Sequence, residues 1–375
     1  MKWPRPLAKP TPEAIPDSPI KGRGAISNRP GRYEPGDRPR EDDGWNWLDE
    51  ADVPKLKTTV ATDRAKTIIS RNDSPDIPFE QSINAYRGCE HGCIYCFARP
   101  THAYLGHSPG LDFESRLYVK PMAAQLLEAE LRKPGYRPSV IAMGTNTDPY
   151  QPIERRYRIT RQILEVLDAF NHPVGITTKS ANVLRDAELL ASMAKRRLAK
   201  VYVSVTTLDG ELARAMEPRA STPELRLKAI AGLKAAGVPV GVSVAPIIPA
   251  LTDAEIERII ERAAEAGAES VNWTMLRLPL EIKDLFQEWL QAHAPLKAKH
   301  VLDLLREVHG GEIYRAEFGK RMSGSGPYAE LIRQRVLACT RKFDLNRYRW
   351  DVDYTLFKVP PRPSPQGDLF DLPSA

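Results

Sequence analysis

Residues 84–100 read NAYRGCEHGCIYCFARP, a stretch that carries three of the four cysteines in this 375-residue chain: Cys89, Cys93 and Cys96. Intervals of three and then two residues put three thiols on one tight loop, a soft donor set suited to a metal centre. Gly88 and Gly92 stand immediately before the first two cysteines. A loop wrapping such a centre needs positive φ and close backbone approach, which glycine permits at little steric cost. Read on the residues alone, the run is a metal-cluster loop, a three-cysteine zinc site completed by His91 or His102, or a fortuitous group of thiols.

Outward from this loop the pattern alternates short β-branched runs with amphipathic helices. Strands are expected at 82–86 (SINAY), 139–144 (SVIAMG), 174–179 (VGITTK), 200–207 (KVYVSVTT), 238–247 (VPVGVSVAPI) and 269–276 (ESVNWTML). Most are nearly continuous in apolar residues, as strands covered on both faces of a parallel sheet are. One helix begins with a capping box at Thr252 and Glu255, carries the stripe Ile256, Ile259, Ile260 and Ala263, and ends at Gly267. Another starts near Thr222 and Pro223 and closes at Gly237. Six β-α units in order predict an α/β fold, a partial (β/α)6 TIM-like barrel, with its chemistry at the C-terminal rim of the strands.

C-x3-C-x2-C with an aromatic residue, Tyr95, before the last cysteine differs from the C-x2-C-x2-C of bacterial ferredoxins and from paired zinc knuckles. It resembles the cluster motif of the radical S-adenosylmethionine (SAM) enzymes, and the resemblance covers about residues 80–310. CEHGCIYCFARPTH (89–102), TNTDPYQPIE (145–154), ITTKS (176–180), EPRAST (217–222) and APIIPALTD (245–253) look like the branch related to spore photoproduct lyase, often called DNA repair photolyase-like. The resemblance implies that Cys89, Cys93 and Cys96 bind three irons of a [4Fe-4S] cluster and that the fourth iron chelates the amino and carboxylate groups of SAM.

With the cluster after the first strand, SAM lies across the rim and needs partners from later strand ends. The cofactor-binding candidates are Tyr95, Asn146, Asp148, Lys179, Ser204 and Arg219. A lysine ending an apolar strand is costly to bury without an anion, so Lys179 is the candidate for the SAM carboxylate, against the alternative of a lysine reaching solvent. Asp148 binds a hydroxyl or caps the turn at Pro149; Ser204 faces the ribose or satisfies a carbonyl; Glu217 and Arg219 form a rim ion pair or contact SAM. The lyase carries a hydrogen-donating cysteine about where this chain has Thr145. The spare thiol, Cys339 in VLACTRKF, is either a catalytic hydrogen donor or a buried structural residue.

The domain reading is a basic, Pro-rich, largely disordered arm at 1–75, a radical SAM core at 76–310, a C-terminal helical extension at 311–358 and a disordered tail at 359–375. Residues 1–40 hold nine Pro and nine Lys or Arg against four Asp or Glu, too little apolar surface to offset ordering entropy. The tail carries QGDLF, similar to the peptide with which bacterial repair and replication proteins dock on the sliding clamp, through Gln366, Leu369 and Phe370. A net charge of +6 permits a nucleic-acid partner without demanding one. Four cysteines, three of them clustered, exclude a disulfide scaffold, and an oxygen-sensitive cluster needs a reducing compartment, the cytoplasm. No run approaches the roughly 18 apolar residues of a membrane span. The expected function is reductive SAM cleavage directed at a lesion or modified nucleotide in DNA, with an electron donor such as flavodoxin or ferredoxin. The alternatives are radical modification of RNA or protein, and a non-catalytic iron-sulfur or zinc module that binds nucleic acid.

Overall fold

Six parallel strands follow one another across a single sheet in chain order: β1 Gln81–Ile83, β2 Ile141–Met143, β3 Val174–Thr178, β4 Ala199–Ser204, β5 Val240–Ile247 and β6 Ser270–Met275. They are seen in a computed structural model that describes residues 19–33, 56–348 and 350–361. The register is regular at the β1–β2 pair, where Gln81, Ser82 and Ile83 lie opposite Ile141, Ala142 and Met143. A short antiparallel strand, Ile69–Arg71, finishes the edge beside β1. Parallel strands in sequential order, joined by helical crossovers, make the partial (β/α)6 barrel that the periodicity predicts.

The outer layer forms for legible reasons. Helix Pro223–Ala235 opens where Thr222 accepts the Leu225 N–H at 3.4 Å, has proline in its first turn, and is followed by Gly237 at φ 79°. Helix Ile256–Glu265 buries Ile256, Ile259, Ile260 and Ala263 completely and packs on β5. Each isoleucine contributes about 1.5–3 kcal/mol by leaving water.

The structure corrects several expectations. The capping box at Thr252 does not form: its hydroxyl accepts the Ile248 N–H at 2.9 Å, while Glu255 reaches back to the Thr207 hydroxyl and the Leu208 N–H. The carboxylate thus ties a helix start to the loop after β4, a tertiary use that local sequence does not announce. SINAY is not one strand. The chain leaves the barrel after Ile83, and Tyr86–Arg87 pairs with Arg116–Val119 in a second sheet that also holds Thr59–Thr62.

Within the expected disordered arm, residues 19–33 and 56–75 are folded. Gly24 lies so close to the cysteine loop that a Cβ there would sit 1.9 Å from the Gly92 carbonyl oxygen. Composition suggested disorder because it counts large apolar residues, whereas this segment is held by small residues and polar contacts. The remainder of the arm, and the tail with Gln366, Leu369 and Phe370, fall outside the described residues. Helix Gly326–Lys342, beyond the barrel, packs on Ile256–Glu265.

Candidate active site

The cysteine loop follows β1 and is built by backbone turns: the Gly92 N–H meets the Cys89 carbonyl at 3.2 Å, the Cys96 N–H meets the Cys93 carbonyl at 3.2 Å, and the Ile94 N–H meets the Met216 carbonyl at 3.0 Å. Gly88 and Gly92 take φ of 73° and 67°, the left-handed conformation expected of them. Side chains from elsewhere then lock the loop. Arg99, fully buried, donates to the Cys93 carbonyl at 2.8 Å and the Gly92 carbonyl at 2.9 Å, and pairs with Glu114, also fully buried. The same Glu114 carboxylate accepts the Gly24 and Ala25 N–H groups at 2.9 and 2.8 Å, so the folded N-terminal segment is strapped onto the loop. Gln151 braces the other side, accepting the Glu90 N–H at 2.9 Å.

Burial pushes all three thiols up, with Asp148 and Cys93 adding to the shift of Cys89. Thiols so placed ionise against a compensating positive charge, which cluster iron supplies. One ring nitrogen of each histidine is engaged elsewhere: His91 Nδ1 lies 3.4 Å from Asp148 Oδ2, and His102 Nε2 lies 2.8 Å from the Arg116 carbonyl. Among the described residues no three His, Cys, Asp or Glu converge on one ion. Three thiols spread along a loop suit a cluster, in which each thiolate takes its own iron, better than zinc completed by His91 or His102.

The rim residues divide into those aimed at the loop and those used for fastening. Tyr95 donates its hydroxyl to Glu217, whose other oxygen pairs with Arg226; Thr206 lies 3.2 Å from the tyrosine oxygen. Over the Tyr95 ring, 5.7 Å from its centroid, stands the ammonium of Lys179. Among the described residues no carboxylate is in ion-pair contact with that ammonium, so the end of β3 presents a cation beside the cysteines. Asp148 is a fastener: it accepts the Thr178 hydroxyl and the Lys179 N–H, each at 2.7 Å, and the Tyr150 N–H at 2.8 Å. Burial pushes its carboxyl up, but His91 and these donors outweigh that and hold it at about 2.

Asn146 is exposed, its N–H bound to the Asn84 side chain at 2.9 Å; Thr145 donates to the same oxygen at 3.1 Å. Ser204 is buried at the end of β4, and its carbonyl accepts from Arg226 at 3.2 Å. Arg219 pairs with Glu90 of the cysteine loop at 2.9 Å, so the Glu217–Arg219 ion pair, one of the two alternatives, is replaced by two separate ones. Cys339 is not brought to the site: it lies on the outer helix, lining a cavity of about 290 Å³ with Glu257, Arg335 and Lys342. A catalytic hydrogen donor there is corrected to a buried cysteine between two helices of the outer layer. Sequence reasoning missed Arg99, Glu114, Arg226 and Asn84. A charged pair separated by fifteen residues leaves no periodic trace, and only the cost of burying an arginine unpaired explains its partner.

Three comparisons bear on this arrangement. The Radical SAM superfamily profile matches residues 83–263. An uncharacterised protein of Mycobacterium tuberculosis is 39% identical over 272 residues, 72% of this chain and 76% of its own length, and one of Methanocaldococcus jannaschii is 31% identical over 173 residues, 46% and 62%. Among solved structures, spore photoproduct lyase complexed with dinucleoside spore photoproduct aligns with a TM-score of 0.55 at 17% identity, covering 76% of this chain and 78% of that one. At that identity the likeness concerns the fold.

Proposed function

Because this chain belongs to the radical SAM superfamily, we propose that it directs the family's [4Fe-4S] and SAM chemistry at a nucleotide of DNA, at a lesion or a modified base. When bound, the cluster and SAM would supply an electron for reductive cleavage of SAM and, through it, hydrogen abstraction from the substrate. The chain's own residues hold and orient. Cys89, Cys93 and Cys96 hold the cluster, with Arg99 and Glu114 fixing the loop they sit on. Lys179 meets the SAM carboxylate, Tyr95 is kept in place by Glu217, and Asp148 anchors the β3 end that carries Lys179. Asn146, Ser204 and Arg219 complete the set offered to SAM. The observation that carries the reading is the pairing of three thiols on the loop after β1, Cys89 and Cys93 buried and Cys96 partly so, with the Lys179 ammonium over the neighbouring Tyr95 ring.

DNA is favoured by the fold shared with a lyase solved with a dinucleoside lesion, by the net charge of +6, and by the QGDLF tail as a dock for the sliding clamp through Gln366, Leu369 and Phe370. Thr145 and the remote Cys339 separate the proposed reaction from lesion reversal that relies on a thiol in the β2 loop. An electron donor of the flavodoxin or ferredoxin type and a cytoplasmic location follow from the cluster's needs; no helix among the described residues is long and apolar enough to cross a membrane. To test the substrate, full-length reconstituted protein is incubated anaerobically with SAM, dithionite and deuterated DNA from irradiated cells. Deuterium in 5'-deoxyadenosine is the expected result. Deuterium drawn only from labelled RNA or protein in parallel reactions would overturn the DNA assignment.

A further inference from the structure

Phe97 follows the last cluster cysteine and is 46% exposed, although it neighbours a loop that is otherwise mostly buried. Over its ring, 5.2 Å from the centroid, lies the guanidinium of Arg277, which comes from the segment after β6. Among the described residues no carboxylate is in ion-pair contact with Arg277. One of its terminal nitrogens lies 3.0 Å from the Met322 sulfur, a weak acceptor, and its Nε is buried without a hydrogen-bond partner. A buried guanidinium N–H left unmade is costly and calls for an acceptor, from water or from a ligand.

A second, similar pair adjoins the first. The Met275 N–H bonds to the Met322 carbonyl at 2.8 Å, which places the 318–322 segment beside the end of β6. There Arg321 stacks on Phe318, 4.7 Å from the centroid, and Phe318 is itself exposed. Arg321 is paired with Asp76 at 2.6 Å, so of the two arginines Arg277 is the one without an ion-pair contact among the described residues.

From these contacts we infer that Phe97 and Arg277 are the receptor for an unstacked nucleotide at the barrel mouth, the ring stacking on the base and the guanidinium taking the phosphate, with Phe318 as the platform for its neighbour. The inference rests on the nucleotide reading of the site above and names the residues that would select such a substrate. Aromatic faces capped by arginine are the usual means of holding single-stranded or extruded bases, since every base offers a π face. Arginine provides the fixed fork that a phosphate accepts. Position gives the pair its consequence: a base held on Phe97 is one residue from Cys96.

The test is fluorescence anisotropy with fluorescein-labelled 12-residue oligodeoxyuridylate and, in a second arm, oligouridylate, using the full chain with its cluster reconstituted. The expected result is binding that weakens about tenfold or more in Phe97→Ala and in Arg277→Gln, less in Arg277→Lys, and several-fold in Phe318→Ala. Iron content equal to the wild type's shows that each variant keeps its cysteine loop. Tighter binding of one oligonucleotide by the wild type, lost in the variants, assigns the sugar. Undiminished binding in both Phe97→Ala and Arg277→Gln, or no binding by the wild type, overturns the receptor. Oligonucleotide binding with no 5'-deoxyadenosine from SAM would instead leave the receptor standing and sink the radical reading.

Discussion

Lys179 holds its ammonium 5.7 Å from the centroid of the Tyr95 ring, so the residue just past the third strand overlies the tyrosine immediately before the third cluster cysteine. Two other contacts fix that relationship. Asp148 accepts the Lys179 N–H, and Glu217 accepts the Tyr95 hydroxyl. The cation is therefore placed before any ligand arrives, and its ordering entropy is already spent in folding.

Replacing it should separate SAM binding from cluster assembly. Lys179→Met is expected to retain the wild type's iron content while weakening SAM binding about tenfold to a hundredfold, the worth of a charge-assisted hydrogen bond. Equilibrium dialysis with labelled SAM measures this. Unchanged affinity would remove Lys179 from the SAM site.

The pair beneath Tyr95 gives a stability prediction. Glu217 is fully buried and Arg226 is 1% exposed, so removing one partner strands a buried charge. Arg226→Met should lower stability by about 3–5 kcal/mol, and adding Glu217→Gln should restore part of the loss. Urea unfolding midpoints of the two single variants and the double variant form the cycle. Simple additivity would show that the two groups are not coupled.

Acid sensitivity has an identifiable source away from the cluster. Burial pushes His172 down to about 4, and its Nε2 lies 2.8 Å from the Tyr136 hydroxyl. Because the folded value lies below the ordinary value near 6.5, the unfolded chain binds the proton first. Stability is whole above about pH 6.5 and falls as the pH drops towards 4, by up to about 3 kcal/mol from this group. His172→Gln should flatten that part of the curve in urea unfolding at pH 7, 5 and 4. An equally steep fall in the variant would place the sensitivity elsewhere.

The N-terminal strap is testable through the metal. A methyl group on Gly24 would collide with the Gly92 carbonyl oxygen, so Gly24→Ala should displace residues 19–33 from the cysteine loop. The reconstituted variant is expected to lose iron to a chelator several-fold faster than the wild type. Equal rates would mean that the strap does not shield the cluster.

What was legible in the sequence was what is local or periodic. The cysteine spacing, Gly88 and Gly92, the buried stripe of Ile256, Ile259 and Ile260, and the alternation of apolar runs each leave a mark within a few residues, and the barrel follows from their order. Lys179 drew attention in the sequence because a lysine ending an apolar run is an energetic anomaly, and the structure puts its ammonium over the Tyr95 ring. The fastenings were not legible. Arg99 with Glu114, Arg219 with Glu90, and Asp148 with His91 are pairings chosen by tertiary proximity, and each residue alone is compatible with a solvated surface position. The folded 19–33 segment was hidden for a related reason: it is held by backbone contacts to Glu114 and by the absence of side chains at Gly24. Cys339 left two readings open in the sequence, a hydrogen donor or a buried structural cysteine, and its place on the outer helix fits the second.

The account rests on a cluster held by three thiolates that enables SAM cleavage, and anaerobic reconstitution measures this most directly. About four irons per chain, with 5'-deoxyadenosine formed only when dithionite is present and neither retained by Cys96→Ala, is the predicted result. Stoichiometric zinc in place of iron, or SAM left intact by the reduced, iron-loaded protein, would contradict it.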